Sequence, residues 1–257
     1  MKLAIVNSDQ RMQEVYFSLA NDYETVLINA YTDFDRIDDA DALILPVKGL
    51  TSTGSLYASG KEIIIPKSFW QRMQEKKIFA GIPQPFLHDF PHVHYYMQDE
   101  EIKRKNAVFT AEGTLFLLID HTGRSIQDVK VDIIGYGACG REIAKWLDAL
   151  RIPIRIVRRN TDEKGRFVNV ADYRKGSCGD VIINTSPSIV LDRELLTRWH
   201  NKPLIIDIAT PDVIDYDAAL KQDIRVIKAG NLPNMVAYES SGKLIADYVR
   251  GKIQDGK

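Results

Sequence analysis

Apolar runs of about four or five residues recur along the chain, and between them apolar residues return every three or four positions. Short runs of that kind suit strands buried on both faces, and their alternation with helical periodicity is the pattern of parallel α/β folds. In the first half the predicted strands are Leu3–Val6, Thr25–Ile28, Ala42–Leu45, Glu62–Ile65 and Ile78–Gly81, with helical stretches at Arg11–Asn21 and Lys67–Lys76. In the second half the runs are sharper: Val131–Ile134, Ile154–Val157, Val181–Asn184, Leu204–Asp207 and Arg225–Ile227. Helices are predicted after them at Arg141–Leu150, Asp192–His200 and Tyr216–Gln222. The pattern predicts an α/β chain of two domains, each a doubly wound, mostly parallel sheet.

Between the halves, Thr110-Ala111-Glu112-Gly113-Thr114 opens the apolar segment Leu115–Ile119, which reads as a helix joining the domains with Thr110 as its cap. A last helical segment runs from Asn234 to about Gly251. The resulting division is a first domain over 1–105, a connecting helix over 106–128, a second domain over 129–232 and a closing segment over 233–257. The closing segment is expected to return to the first domain, enclosing a cleft between the two.

Composition narrows the classes. The 257 residues suffice for two domains with their own cores, and 45% hydrophobic with 27% charged residues is ordinary for a globular protein. A formal net charge of -1 gives no reason to expect nucleic acid as a partner, and no apolar run approaches the ~20 residues that span a bilayer. Cys139 and Cys178 form no Cys-x-x-Cys pair, and His88, His92 and His94 lack a completing Cys or carboxylate set, so no metal site is expected. The start of the chain, apolar for a few residues and then Asn7-Ser8-Asp9-Gln10, has no signal-peptide pattern, and a cytoplasmic location is expected.

The most specific signal is Gly135-Tyr136-Gly137-Ala138-Cys139-Gly140, a G-x-G-x-x-G between a predicted strand and a predicted helix. Gly135 permits the tight turn, Gly137 lets a pyrophosphate approach the backbone, and Gly140 lets helix and strand pack closely. With Ala138 and Cys139 as further cofactor-binding residues of the turn, this predicts a Rossmann NAD(P)-binding domain. NAD enzymes place Asp or Glu at the end of the next strand, to hold the ribose hydroxyl; here Arg158 and Arg159 stand there. Guanidinium groups suit a 2′-phosphate, so NADP is expected rather than NAD. Thr185, Ser186 and Ala209, at later strand ends, are expected along the nicotinamide side; Asp207 is either part of that wall or a strand-end cap.

The domain order resembles that of the D-2-hydroxyacid dehydrogenases. Those enzymes need an Arg after the strand corresponding to Leu204–Asp207 and a His near the domain end. This chain has Ile208-Ala209-Thr210-Pro211-Asp212 and no His after His200, so that chemistry lacks its parts.

A second resemblance covers nearly the whole chain. Its segments are Leu45-Pro46-Val47-Lys48-Gly49-Leu50-Thr51-Ser52-Thr53-Gly54, Asn106 to Thr114, the glycine turn, Ile183 to Ser188, Asp207-Ile208-Ala209 and Ala229 to Ala237. In this order they resemble the A-subunits of the dipicolinate synthases of spore-forming bacteria. The resemblance implies NADP-dependent oxidation of a dihydrodipicolinate-type cyclic dicarboxylate to dipicolinate, alongside a flavoprotein-like second subunit. For that chemistry the candidates are Lys48, Thr51, Ser52, Thr53 and Thr110 around the substrate carboxylates, with Lys48 and Glu112 as the catalytic pair and Glu112 as proton acceptor. The alternatives are a surface turn without a ligand at 48–54 and a first-turn carboxylate favoured by the helix dipole at Glu112. The chain departs from the family at Asn7-Ser8-Asp9, where a glycine-rich turn is usual, at Ala138, and at Asn231, Asn234 and Tyr238. Two other functions stay open: a non-catalytic protein that senses NADP(H) or serves a partner, and a dehydrogenase of another small carboxylate. Self-association is also left open.

Overall fold

The structure is a computed structural model that describes residues 1–37, 39–58, 61–159, 161 and 165–255. The chain forms two compact units, Met1–Asn106 with Ala237–Lys257, and Ala107–Val236.

The first unit runs β1 (Lys2–Val6), α1 (Gln10–Leu19), β2 (Glu24–Ile28), β3 (Ala42–Ile44), β4 (Leu56–Ala58), β5 (Lys61–Ile63), α2 (Lys67–Arg72), β6 (Lys77–Ala80) and β7 (Val93–Tyr95). Its main sheet has the order β2-β1-β3-β6-β7, every pair parallel. Alternate strand residues feed two apolar layers, as a pleat requires. Ala4, Val6, Leu43 and Leu45 pack with Phe69 and Trp70 on one face; Leu3, Ile5 and Ile44 pack with Met12, Val15 and Leu19 on the other. The expected strand at Glu62–Ile65 does not join this sheet. Its first residues belong to β5, which pairs antiparallel with β4 in a separate hairpin. The edge position in the main sheet goes to β7.

Helix α3 (Glu100–Thr122) starts ten residues earlier than Thr110. Asp99 explains the start: its Oδ1 accepts from the N–H groups of Glu101 and Ile102 at 3.0 and 3.1 Å. Thr110 is therefore no cap. It is a buried mid-helix residue, and Glu112 likewise lies in the middle of α3 and not in its first turn.

The second unit continues through β8 (Val131–Ile134), α4 (Ala138–Ala149), β9 (Ile154–Arg158), β10 (Phe167–Asn169), α5 (Val170–Tyr173), β11 (Val181–Asn184), α6 (Arg193–Arg198), β12 (Leu204–Asp207), α7 (Tyr216–Lys221), β13 (Val226–Lys228) and α8 (Leu232–Val236). All pairs are parallel and the order is β10-β9-β8-β11-β12-β13, the doubly wound dinucleotide-fold order, which reverses between β8 and β11. Ile133, Ile156 and Ile183 face α3 and α4, whereas Ile182 and Ile205 face α6 and α7. The last helix, α9 (Tyr238–Gln254), belongs to the first unit and packs on α1. Gly242 allows that approach, since a Cβ there would sit 2.6 Å from the Glu14 Cβ. No helix among the described residues is long and apolar enough to cross a membrane.

Candidate functional site

Parallel strands end on one edge of a sheet, and the crevice at that edge opens where the strand order reverses. In the second unit that is the gap between β8 and β11. β8 runs directly into the glycine turn. Gly135 takes a φ of 95°, a left-handed value, and a Cβ on it would lie 2.6 Å from the Thr185 Oγ1. A Cβ on Gly140 would overlap the Gly135 carbonyl oxygen. These two glycines are thus demanded by the protein itself. Gly137 is different: a Cβ there would meet nothing within 4 Å, yet the residue caps α4 without any side-chain hydrogen bond. Among the described residues the first turn of this 12-residue helix has no side-chain cap beneath the open space, and Ala138 beside it is exposed. That arrangement fits a phosphate group, and so fits a dinucleotide pyrophosphate. Cys139 is turned inward; its thiol interacts with Thr110, and burial raises its pKa.

The other wall comes from the ends of β11 and β12. Thr185 donates its hydroxyl to the Ile134 carbonyl at 3.0 Å, which ties the loop after β11 to the glycine turn. Asp207 is 1% exposed, and its oxygens accept from Asn184 Nδ2 at 2.9 Å, from the Ala209 N–H at 3.2 Å and from the Tyr216 hydroxyl at 2.7 Å. Burial, then the bond to Asp207, raises the Tyr216 pKa far above the ordinary phenol value. Asp207 therefore spends its carboxylate on the protein, aligning the strand ends on which Ser186 and Ala209 stand. Neither Asn184 nor Tyr216 is marked by any short motif; their roles depend on neighbours in space.

Arg158 and Arg159 leave the end of β9 in different ways. Arg158 stacks over Phe167 at 4.9 Å and donates to Thr161 Oγ1 at 3.1 Å. Arg159 is exposed and donates to Ser188 Oγ at 2.8 Å.

Within α3, Thr110, Gly113 and Thr114 lie on the face that packs into the second unit. Gly113 lets Leu232 approach, since a Cβ there would be 2.7 Å from that side chain, and Thr114 returns its hydroxyl to the Thr110 carbonyl at 2.8 Å. Glu112 follows Thr110 by two residues and so lies on the opposite face, with exposed Phe116 and Ile119. It is half-buried, and burial raises its pKa.

In the first unit, the loop after β3 carries Lys48, which is exposed, and Gly49 at a φ of 111°. The Thr51 hydroxyl lies 2.8 Å from Thr53 Oγ1 and 2.9 Å from Ser55 Oγ, and accepts from the Ser55 N–H at 3.0 Å. Thr51 thus organises the turn, leaving Lys48, Ser52 and Thr53 outward. Gln84, not singled out by sequence, holds the loop through the Leu50 N–H at 3.0 Å.

No family model matches the chain. The dipicolinate synthase A-subunit of Bacillus subtilis is 27% identical over 278 aligned residues, covering 96% of this chain and 94% of that protein. Its crystal structure from Bacillus subtilis superposes with a TM-score of 0.83 and 25% identity, over 100% of this chain and 98% of that one. The A-subunit from Bacillus halodurans gives 0.84 and 23% identity, over 97% and 96%. The NAD+-bound 3-phosphoglycerate dehydrogenase of Entamoeba histolytica shares the fold at 0.63 and 14% identity, over 100% and 96%. Over nearly its whole length, the chain is similar in sequence and in fold to the dipicolinate synthase A-subunit.

Proposed function

We propose that the protein is an NADP-dependent oxidoreductase that converts a dihydrodipicolinate-type cyclic dicarboxylate to its aromatic pyridine form. The observation that carries the cofactor half is the open space over Gly137 at the uncapped start of α4, at the strand-order reversal of the sheet. The backbone N–H groups of that turn would hold the pyrophosphate, and Arg158 and Arg159 the ribose phosphate. Similarity to the dipicolinate synthase A-subunit supports the dicarboxylate, and it supports a partner in the form of a second subunit.

A bound nicotinamide would supply the hydride acceptor. The chain's part is to hold two carboxylates and take one proton. Lys48 offers an exposed ammonium, with the Ser52 and Thr53 hydroxyls as neutral donors. Glu112 is the proposed proton acceptor. With the cofactor bound, this carboxylate would take the proton the ring gives up, and aromatisation would supply the driving force. A raised pKa brings a carboxylate nearer to neutral pH, which suits a base.

The test is turnover of freshly generated dihydrodipicolinate with NADP and with NAD, followed by nicotinamide absorbance, with and without a candidate second subunit. Reduction of NADP faster than NAD supports the proposal. Tight NADPH binding with no turnover in any combination would favour a sensor instead.

A further inference from the structure

Arg159 reaches further than its neighbour. Arg158 lies over Phe167 of β10 and donates to Thr161. Arg159 instead donates from Nη2 to Ser188 Oγ at 2.8 Å, and Ser188 lies just past β11. In the sheet order β8 stands between β9 and β11, so this bond passes across the end of the strand that makes the glycine turn.

Ser188 is itself anchored. Its N–H donates to Ser186 Oγ at 3.2 Å, and the Ser186 N–H donates to Asn184 Oδ1 at 3.3 Å. Asn184 donates to Asp207 at 2.9 Å, and Tyr216 donates to the other oxygen of the same carboxylate at 2.7 Å. The far end of this line is buried, with Asn184 and Asp207 each 1% exposed. An exposed arginine otherwise samples many rotamers, and ordering it on binding costs free energy. A hydroxyl fixed to the sheet removes part of that cost beforehand. Among the described residues it occupies a single N–H of a group with five.

We infer that Ser188 is a positioning residue for cofactor choice: its hydroxyl holds the Arg159 guanidinium across the glycine turn, ready for a phosphate monoester on a dinucleotide ribose. Preference for the phosphorylated cofactor then depends on Ser188 as well as on Arg159. The inference rests on the dinucleotide reading proposed above.

Calorimetric titration with NADP and with NAD tests it on wild type, Ser188→Ala, Ser188→Thr, Arg159→Ala and the Ser188→Ala/Arg159→Ala double variant. Ser188→Ala is expected to weaken NADP binding about 3- to 10-fold, the worth of one hydrogen bond at an exposed site, and to change NAD binding less than about twofold. Ser188→Thr retains the hydroxyl and the preference. The double variant binds NADP no more weakly than Arg159→Ala alone, because the two residues act through one contact. Equal loss for both dinucleotides in Ser188→Ala overturns the inference, as does NADP binding that is unchanged or tighter, which would make the bond one that the phosphate must break. Wild-type protein that binds neither dinucleotide overturns the inference together with the reading beneath it.

Discussion

The two sheets make the same kind of crevice and close it differently. In the first unit the order reverses between β1 and β3, and in the second between β8 and β11. At each, a first strand ends and a helix begins within a few residues. The α1 helix is capped by Asp9, whose Oδ1 accepts from the Met12 N–H at 3.0 Å and whose other oxygen pairs with Arg11 at 3.2 Å. That carboxylate already occupies the position an anion would take, accepting from the Met12 N–H and complementing the helix dipole. The α4 helix begins at Gly137 with no side-chain cap. One residue, Asp against Gly, thus separates a self-sealed helix start from one that can receive phosphate. It also gives a physical account of why the chain can lack a glycine-rich turn after β1: no ligand phosphate is expected there.

The largest expected effect exploits this contrast. Gly137→Asp carries the α1 solution into α4, and Gly137→Val fills the same space without charge. Both should remain folded, because a Cβ at 137 meets nothing within 4 Å. NADP binding should be lost in both, since a cofactor phosphate would face a carboxylate in one and a branched side chain in the other. Calorimetry and a thermal melt decide it; normal NADP affinity in a folded Gly137→Val protein would place the cofactor elsewhere.

Glu112→Gln keeps the size of the side chain and removes the base. A fall in kcat of about 10²–10⁴-fold is expected, with NADP affinity retained. Stability supplies a second readout. Because burial raises the Glu112 pKa, the folded protein holds its proton at pH values where the unfolded chain has lost it. Stability from this group is therefore greatest at low pH and falls as pH rises through the carboxylate range. Glu112→Gln should melt above wild type at neutral pH and alongside it in acid. An active Glu112→Gln enzyme would remove Glu112 from the chemistry.

Lys48→Ala separates the units by function. Loss of one charge-assisted hydrogen bond at an exposed position should raise KM for the dicarboxylate about 10-fold, at the lower end of the range for such bonds. The Kd for NADP should stay as it was. Parallel loss of both would mean that Lys48 acts through the fold or through the cofactor, and the division of labour between the two units would fall.

The sequence made the second sheet plain and the first less so, for physical reasons. Runs such as Val131–Ile134 and Val181–Asn184 are wholly buried and read as short apolar segments that each carry one polar residue, Asp132 and Asn184. The strands it missed, β4, β7 and β10, are three-residue strands, partly exposed; β4 lies in the separate hairpin, and β7 and β10 are sheet edges carrying His94, Tyr95 and Asn169. Their pairing comes from the neighbouring strand and leaves little periodicity. The early start of α3 was hidden by the charged stretch Glu100–Lys105, although Asp99 ahead of two glutamates is a fair N-terminal signal. In the candidate site, the glycine turn was legible because strand, spacing and helix all lie within one short segment. The line from Tyr216 through Asp207 and Asn184 to Ser188 was not, since it joins the ends of separate strands and no periodicity records it.

The smallest expected effect completes the contrast from the other side. Asp9→Ala removes the cap of α1, which should cost about 0.5–2 kcal/mol of stability. The upper half of that range is the more reasonable, because Asp9 also pairs with the Arg11 guanidinium, and Arg11 is 4% exposed. Asp9→Asn keeps an acceptor for the Met12 N–H while removing the charge, so it should recover the cap and not the ion pair. Neither change should move the Kd for NADP, because the cofactor proposal places no phosphate on α1. Urea unfolding gives the stability and calorimetry the affinity. If Asp9→Ala were to weaken NADP binding as much as it weakens the fold, the two helix starts would not be independent, and cap chemistry alone would no longer explain which of them takes the cofactor.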